Sequence, residues 1–421
     1  MDSILQTLQE EFHAALSLTN KSTPRLYMFP NAENLIKVAV GMRRSGKTYF
    51  LFQTIRRLLS EGIPLERFLY LNFEDDRILP MDHKTMGKLI DSWYTLYPQH
   101  HNHECYLFLD EVQNVEGWPL VLRRMQDTKN IKIYVTGSSA KLLSKEIATS
   151  LRGRSLSIEI FPYSYLEYLT AHRHELPSKP FGQKALDHRR GYLLEYFRTG
   201  GFPGIQLMPP NEKLEALQSY VETVIFRDII ERYQISNIAL MKYFISFLLK
   251  NIAAPFSVNK FYNDIKSQGY KAGKDTLYSY LDYLEDAFLI FTVPIFSESL
   301  RHTQTTPKKI YAIDNGLILA NTFNLSDNLG KLLENQVYLD LRREGKKIFY
   351  YHTSDGYEID FITQDVQGKY EMIQVVWDTN DPKTLEREER ALNQAKKELG
   401  FPGRLLDYTH YLRHFVTSKE L

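Results

Sequence analysis

Residues 41–48 combine glycine, lysine and threonine at a spacing that suits phosphate binding, since they fit the pattern G-x-x-x-x-G-K-[ST]. Two glycines let backbone N–H groups turn toward phosphate oxygens, the lysine reaches the β- and γ-phosphates, and the threonine hydroxyl can bind Mg²⁺. An apolar strand at 36–40 precedes the loop and a helical pattern follows it, so the loop would form an anion-favouring helix N-terminus. The alternative is a chance glycine turn before an ordinary helix. The predicted nucleotide-binding residues are Gly41, Arg44, Ser45, Gly46, Lys47 and Thr48.

Two adjacent carboxylates, Asp110 and Glu111, close an apolar strand that begins at Tyr106. Downstream of a phosphate loop, Asp110 can hold Mg²⁺ through its water shell, and Glu111 can orient or deprotonate the attacking water. The alternative is an exposed acidic pair after a strand. We therefore predict metal binding by Thr48 and Asp110, and catalysis by Lys47 and Glu111.

A further strand, at 131–139, has a small polar tip. Because the carboxyl ends of parallel strands gather at the ligand crevice, Ser138 or Ser139 could contact the γ-phosphate or the attacking water, the role called sensor 1. A plain helix N-cap would explain either serine equally well.

A helical pattern over 142–151 ends in arginines, and the next strand covers 156–160. Strands that alternate with helices predict an α/β fold with a doubly wound parallel sheet. Arginine at this helix end resembles the arginine finger of AAA-type ATPases, which reaches a neighbouring subunit's nucleotide and stabilises transition-state charge. Arg154 is the better candidate and Arg152 the reserve. The alternative is a cation that packs favourably against a helix C-terminus.

A Gly-Gly-x-Pro element at 200–203 follows a region in which we predict helices at 165–171 and 191–197 and a loop at 172–187. In a helical lid this element resembles the nucleotide-sensing turn of signal-transducing ATPases related to the AAA group, which makes Pro203 a candidate cofactor contact. A helix stop made of glycine and proline explains the composition without a ligand.

Two helices at 257–265 and 275–284, a turn between them and a strand at 289–294 give the element order of a winged helix. The second helix could enter a DNA major groove. Its acidic residues would face phosphates poorly, so a role in contacts with a protein partner or another subunit competes. The candidate phosphate contacts are Lys271, Lys274, Tyr278, Arg301, Lys308 and Lys309, and the opposing acidic residues are Asp275, Asp282, Glu285 and Asp286.

The last part of the chain has the order helix, strand, strand, strand, helix, with Glu334, Asp360 and Gln374 at its polar positions. This resembles a restriction-endonuclease-like core, in which a Glu, an Asp and an E-x-K strand hold Mg²⁺ and activate water. Here Gln374 stands where Glu is usual, and Val376 stands where the lysine should be. We find no neighbouring residue that replaces the lost charge, and therefore favour a degenerate structural or binding domain.

Together these motifs resemble a broad prokaryotic family of predicted AAA-superfamily ATPases, related to archaeal ATPases, with a C-terminal domain of unknown function. The resemblance covers nearly the whole chain and implies ATP and Mg²⁺ as cofactors, ATP hydrolysis and a winged-helix linker. We predict a P-loop ATPase domain at 1–162, a helical lid at 163–235, a winged-helix domain at 236–308 and a restriction-endonuclease-like domain at 309–421.

Composition restricts the partners and the compartment. The net charge of +1 indicates no strongly basic or acidic partner, so any nucleic-acid surface must be a local patch. Cys105 is the single cysteine, which suits a reducing cytosol. No signal peptide and no run of 18 apolar residues is present, so we expect a cytoplasmic protein with no membrane partner.

The leading hypothesis is an ATP-hydrolysing molecular switch or motor of the AAA type, which would form a homo-oligomer if Arg154 acts in trans. One alternative is a metal-dependent nuclease gated by the ATPase. Another is a non-catalytic DNA-binding or adaptor protein that uses bound nucleotide only as a conformational signal.

Overall fold

A computed structural model describes residues 2–19, 22–143, 149–174, 182–322 and 329–417. The chain divides into two units. One consists of Met1–Phe161 with Asp286–Phe288, and the other of Pro162–Glu285 with Leu289–Leu421. Within the described ranges, no helix combines the length and apolar character needed to span a membrane.

The first unit is built on a five-stranded parallel sheet with the order β2-β4-β6-β1-β7. Every adjacent pair is parallel, which confirms the predicted doubly wound sheet. The carboxyl ends of all five strands therefore lie along one edge. The strands are β1 (Ile36–Val40), β2 (Phe68–Asn72), β4 (Cys105–Asp110), β6 (Ile131–Gly137) and β7 (Ser155–Glu159), and a separate parallel pair is β3 (Met81–Asp82) with β5 (Val115–Glu116).

Helices cover this sheet through an aromatic core. Phe108 and Tyr134 on neighbouring strands stack with ring centroids 4.5 Å apart, and Phe12 stacks on Tyr70 at 5.3 Å. Such contacts add to the burial of large apolar area and hold the strands that carry the site. The helices are α1 (Asp2–Leu18), α2 (Lys47–Ser60), α3 (His83–Leu96) and α4 (Trp118–Thr128).

The second unit opens with helices. Ser164 and Glu167 form a reciprocal capping box at the start of the first of them, as their spacing favours. The predicted loop up to residue 187 is wrong in its last part, because a helix already begins at Gln183; residues 175–181 lie outside the described ranges. The helices are α5 (Tyr165–Ala171), α6 (Gln183–Thr199) and α7 (Pro210–Thr223), and α7 continues as a π-helix (Val224–Glu231).

A three-stranded antiparallel sheet with helices in the order α-β-α-α-β-α-β-α follows in this unit. Its central strand, β10, pairs with β8 and β9. The predicted domain boundary before residue 309 therefore cuts a strand that belongs to this sheet. The elements are α8 (Ile238–Lys250), β8 (Ala254–Phe256), α9 (Val258–Ser267), α10 (Lys274–Asp286), β9 (Ile290–Val293), α11 (Leu300–Thr305), β10 (Lys308–Ala312) and α12 (Asn315–Ala320).

A C-terminal α/β region completes the unit, in agreement with the predicted fold class. Its sheet has the order β11-β12-β13-β14, antiparallel except for the β13–β14 pair. One face packs on α14 through an apolar cluster that includes Ile359, Met372 and Leu392. The elements are α13 (Leu329–Arg343), β11 (Lys347–His352), β12 (Glu358–Gln364), β13 (Tyr370–Val375), α14 (Pro382–Leu399), β14 (Gly403–Leu406) and α15 (Tyr408–Thr417).

Candidate functional site

The loop between β1 and α2 presents backbone donors to its interior. Gly46 caps α2 with φ 98°, a left-handed conformation that glycine adopts without strain, and this residue provides no side-chain cap for the N–H groups of the first turn. A Cβ on Gly41 would lie 2.2 Å from the carbonyl oxygen of Ile160, so a side chain cannot fit there. The buried hydroxyl of Ser45 has no hydrogen-bond partner within the described residues. Exposed amide donors at a helix N-terminus are a site for phosphate.

The ammonium of Lys47 lies inside this loop. It donates to the carbonyl oxygens of Gly41 at 3.1 Å and Met42 at 3.3 Å, and it lies 3.1 Å from Oε1 of Glu111. Its side chain is almost completely buried. The predicted phosphate-binding group is thus paired with the predicted catalytic carboxylate.

Asp110 closes β4 and is bound by three hydroxyl groups. Thr48 Oγ1 donates to Oδ2 at 2.6 Å, the Tyr70 hydroxyl donates to the same oxygen at 3.0 Å, and Thr136 donates to Oδ1. Burial, followed by the charge of Glu111, raises the pKa of Asp110 above its ordinary value. The two residues predicted to bind metal, Thr48 and Asp110, are in direct contact.

Glu111 adopts a left-handed backbone conformation, with φ 52°, that turns the chain at the end of β4. Its N–H donates to Thr136 Oγ1 at 2.9 Å, and Gln113 Nε2 donates to its Oε2 at 2.6 Å. Burial acts to raise the pKa of Glu111, but Lys47 and Gln113 outweigh it and hold the pKa below its ordinary value. Glu111 is therefore a carboxylate at neutral pH.

The donor set suits Mg²⁺ bound together with a nucleotide. Mg²⁺ usually takes one or two protein oxygens and completes its shell with phosphate oxygens and water. Thr48 and Asp110 supply such oxygens, and the unpartnered Ser45 hydroxyl adds a polar group to the loop. Over the ranges that the structure describes, no group of three or more His, Cys, Asp or Glu side chains is arranged to hold a metal by itself.

The two serines after β6 differ in what they contact. Ser138 accepts a 3.2 Å hydrogen bond from Gln113, the same amide that binds Glu111. Ser139 instead donates to the carboxylate of Asp286 at 2.6 Å. The structure therefore brings Ser138 to Glu111 through Gln113, a residue to which the sequence analysis gave no role.

Arg154 lies away from the phosphate loop of its own chain. It immediately precedes β7, and its carbonyl accepts from the N–H of Ile36 at the start of β1. The loop follows the opposite end of β1, and Arg154 forms an ion pair with Asp127 on α4. Part of the helix predicted before it, at 144–148, lies outside the described ranges. A role for Arg154 at a nucleotide would need a second copy, and it stays a prediction.

The Gly-Gly-x-Pro element has a structural partner within the second unit. Gly201 N–H donates to Asp314 Oδ2 at 2.7 Å, and the same side chain caps α12 by accepting from Leu317 N–H. A Cβ on Gly200 would lie 2.1 Å from Asp314 Oδ1. Burial raises the pKa of Asp314 to about 6. The Asp314 carboxyl group thus accounts for Gly200, whereas a Cβ on Gly201 would lie 2.3 Å from the carbonyl oxygen of Tyr163. Pro203 begins a short 3₁₀ turn after the two glycines.

Arg25 supports the phosphate loop from outside, which the sequence analysis missed. Its guanidinium donates to the carbonyl oxygens of Ser45 at 3.0 Å and Phe161 at 2.6 Å. The five donors of a guanidinium suit such bridging of separate segments. Arg25 precedes β1 in an irregular segment, where neither periodicity nor a motif marks it.

The polar positions of the C-terminal region also converge. Lys309 Nζ is 3.0 Å from both Glu334 Oε1 and Asp360 Oδ1, so a lysine from a distant strand supplies a positive charge that was not found among the neighbouring residues. The prediction that Lys309 contacts DNA from a wing is wrong, because this side chain is fully buried. The Gln374 side-chain oxygen accepts a hydrogen bond from Asp360 N–H, and its side-chain NH₂ donates to Glu388. Both ends of the amide group therefore have partners within the protein.

Family models match three consecutive stretches of the chain. An AAA domain matches residues 33–169, and two domains of unknown function, DUF8612 and DUF4143, match 190–328 and 329–413. The uncharacterized protein MJ1544 of Methanocaldococcus jannaschii is 36% identical over 371 residues, which cover 87% of this chain and 80% of that protein. The chain belongs to this family of AAA-domain proteins. An uncharacterized protein of Haemophilus influenzae is 31% identical over 332 residues. This match covers 79% of the present chain and 80% of the Haemophilus protein.

Solved structures with a similar fold include the Walker-type ATPase PABY2304 of Pyrococcus abyssi. The TM-score is 0.44 and the sequence identity is 15%. The superposition covers 71% of the present chain and 97% of PABY2304. The ORC2 protein of Aeropyrum pernix gives a TM-score of 0.38 at 13% identity, over 77% and 98% of the two chains. Both are distant likenesses.

Proposed function

We propose that this protein binds and hydrolyses ATP and acts as a molecular switch or motor. The observation that carries the proposal is that two pairs of contacting side chains lie together at one edge of the parallel sheet. Lys47 lies 3.1 Å from Glu111, and Thr48 lies 2.6 Å from Asp110. An ammonium for phosphate, oxygens for a metal and a carboxylate for water are the parts that phosphoryl transfer to water requires. The AAA family model over 33–169 supports the same assignment.

Each residue of this site has a separate task. Backbone N–H groups of the loop bind phosphate, and Lys47 neutralises charge on the phosphoryl group that is transferred. Bound Mg²⁺, held by Thr48 and by Asp110, would supply Lewis-acid stabilisation of the phosphate oxygens. Glu111 orients the attacking water and takes its proton, and Gln113 sets the position of the carboxylate through its 2.6 Å hydrogen bond.

Replacement of Glu111 by glutamine tests hydrolysis. We expect Glu111→Gln to bind ATP with nearly wild-type affinity while its turnover falls by about 10²–10⁴-fold, because an amide cannot accept the proton of water. Glu116→Gln is the matched control, since Glu116 is an exposed glutamate at the end of β5. Steady-state phosphate release and fluorescent-nucleotide binding are the measurements. Unchanged turnover in Glu111→Gln would remove the proposal and favour a nucleotide-sensing protein without catalysis.

We further propose that the α9–α10 segment contacts DNA. Lys266 and Lys274 both lie over the ring of Tyr262, at 6.0 and 5.4 Å, and Lys271 is exposed in the turn between the helices. Tyr278 is also exposed on α10. These groups form a local basic surface with an aromatic centre, within a segment whose element order is that of a winged helix.

Two of the acidic residues that would repel DNA phosphates accept hydrogen bonds from other parts of the protein. Glu285 accepts from the backbone N–H and the hydroxyl of Thr292, and Asp286 is buried and accepts from Ser139. Asp275 and Asp282 remain exposed. The surface of α10 that would face DNA phosphates is therefore less negatively charged than its sequence indicates.

Removal of two lysines tests this contact. Lys271→Ala combined with Lys274→Ala should weaken binding of duplex DNA irrespective of sequence, and should reduce the slope of log affinity against log salt by about 2, or roughly 1 for each phosphate contact. The control is Lys396→Ala with Lys397→Ala on the exposed side of α14. Fluorescence anisotropy over a salt series gives the slope. Equal slopes for both double variants would contradict the DNA contact.

A further inference from the structure

The first of the two serines after β6 supports Glu111 through an intermediate side chain. Ser138 Oγ accepts a 3.2 Å hydrogen bond from Gln113 Nε2, and the same nitrogen donates to Glu111 Oε2 at 2.6 Å. A side-chain amide nitrogen has two N–H donors, and a carboxylate can only accept, so the amide must turn its nitrogen toward Glu111. Ser138 and Glu111 therefore hold the Gln113 amide between them.

The side chain of Asp286 restrains the loop that carries both serines. Asp286–Phe288 belong to the same unit as β6. Asp286 Oδ1 accepts from the Ser139 hydroxyl at 2.6 Å and from the Lys141 N–H at 2.8 Å, and this N–H also lies 3.3 Å from Ser139 Oγ. The three contacts close on one another, so they restrain the backbone from Ser139 to Lys141. Ser138 adjoins this segment and is restrained with it.

These contacts lie away from water. The exposed fraction is 1% for Ser138, 6% for Ser139 and 5% for Asp286. Water replaces a hydrogen bond that is lost at the surface, but a buried group that loses its partner has no such replacement. Without the Asp286 carboxyl group, the Ser139 hydroxyl would lose its acceptor, and the loop would have to move for this hydroxyl to find another.

The end of α10 holds Asp286 in place. Asp286 is the last residue of this helix, and Phe288 just beyond it is left-handed, with φ 58°. A left-handed residue at this position ends many helices, although an aromatic residue rarely adopts the conformation. Leu289 N–H donates to the carbonyl oxygen of Leu284 at 3.0 Å, which is the hydrogen bond expected of such a helix end. Asp286 thus extends from a fixed position.

We propose that Asp286 is a positioning residue for ATP hydrolysis, an inference that rests on the proposed role of Glu111 as the base. Asp286 restrains the loop after β6, the loop places Ser138 beside Gln113, and Gln113 holds the Glu111 carboxylate. A base that takes a proton from water must be held in the productive geometry, and a misplacement of about 1 Å can reduce the rate on the order of 10²-fold.

Asp286→Ala tests the proposal. We expect turnover of ATP to fall by about 10- to 100-fold while the nucleotide dissociation constant changes less than about twofold, because Glu111 is displaced and the phosphate loop is not. Asp286→Asn should keep most of the turnover, since its amide oxygen can still accept from the Ser139 hydroxyl and the Lys141 N–H. Steady-state phosphate release and fluorescent-nucleotide titration are the measurements.

Glu285→Ala is the matched control. Glu285 precedes Asp286 on α10, and its carboxyl group likewise accepts from one hydroxyl and one N–H, both of Thr292. This variant loses the same number of hydrogen bonds and should keep wild-type turnover. Melting temperatures of Glu285→Ala and Asp286→Ala show whether the two are equally destabilised.

Ser139→Ala gives an independent test should Asp286→Ala not fold. It removes one of the two donors to Asp286 and should lower turnover in the same direction. In the double variant it should add little to the effect of Asp286→Ala, because both substitutions remove one shared contact.

Three results would overturn the proposal. The first is wild-type turnover in Asp286→Ala, or in Ser139→Ala if only that variant folds. The second is a loss in Glu285→Ala as large as that in Asp286→Ala, since general destabilisation would then explain both. The third is a wild-type protein that binds nucleotide without turnover, which would remove the proposed hydrolysis as well, whereas the first two results leave it intact.

Discussion

Lys47→Ala will lose nucleotide binding and turnover together. The variant removes the buried ammonium that would bond the β- and γ-phosphates. Hydrogen bonds to charged groups contribute about 1.5–3 kcal/mol each, so the loss of two predicts roughly 10²–10⁴-fold weaker binding. A second effect concerns Glu111. Glu111 loses the cation that lies 3.1 Å from it, and burial will then raise its pKa.

Fluorescent-nucleotide titration and phosphate release measure both losses. Lys88→Ala, an exposed lysine on α3, is the matched control and should behave as wild type. Glu111→Gln supplies the contrast, because it should separate turnover from binding whereas Lys47→Ala should not. Wild-type affinity in Lys47→Ala would show that the loop at 41–48 is not where the nucleotide binds.

Gly316→Ala will destabilise the second unit more than any surface substitution. A Cβ at this position would lie 2.5 Å from Gly200 N, 2.7 Å from Gly200 Cα and 2.8 Å from Thr199 C. All three atoms are backbone, so no side chain can move aside. The end of α6 and the start of α12 must separate, which also strains the 2.7 Å bond from Gly201 to Asp314. We expect a loss of about 3 kcal/mol or more.

Thermal unfolding followed by circular dichroism should show this loss as a melting temperature lower by roughly 6–12 °C. Gly191→Ala on α6 is the control. A Cβ there meets no atom within 4 Å, so alanine should stabilise the helix by about 0.5–1 kcal/mol. If both variants melt alike, the close approach of α6 and α12 is not maintained in solution.

Local patterns predicted the elements that carry the nucleotide site. The apolar run at 36–40 is β1, the loop begins α2, and Asp110 ends β4, because each depends on periodicity or on a motif within a few residues. The parallel pairing of the strands then followed from their alternation with helices. This part of the fold could be inferred since neighbouring residues specify it.

Contacts between distant residues could not be inferred in this way. Lys309 and Asp360 are separated along the chain by three elements, and no local pattern shows that β10 places a lysine against β12. The contact of Gly201 with Asp314 is of the same kind, and its glycines were therefore equally well explained as a nucleotide-sensing turn. The start of α6 at Gln183 was missed because histidine, lysine and glycine in the flanking residues concealed the helical period.

The group proposed to bind phosphate, the Lys47 ammonium, lies 3.1 Å from the group proposed to accept a proton, the Glu111 carboxylate. A phosphate that enters the loop competes for the Lys47 ammonium. Glu111, buried and deprived of its counter-charge, then becomes the stronger base at the moment when a substrate is present. If Glu111 is the general base that we propose, nucleotide binding would therefore raise the basicity of the residue that activates water.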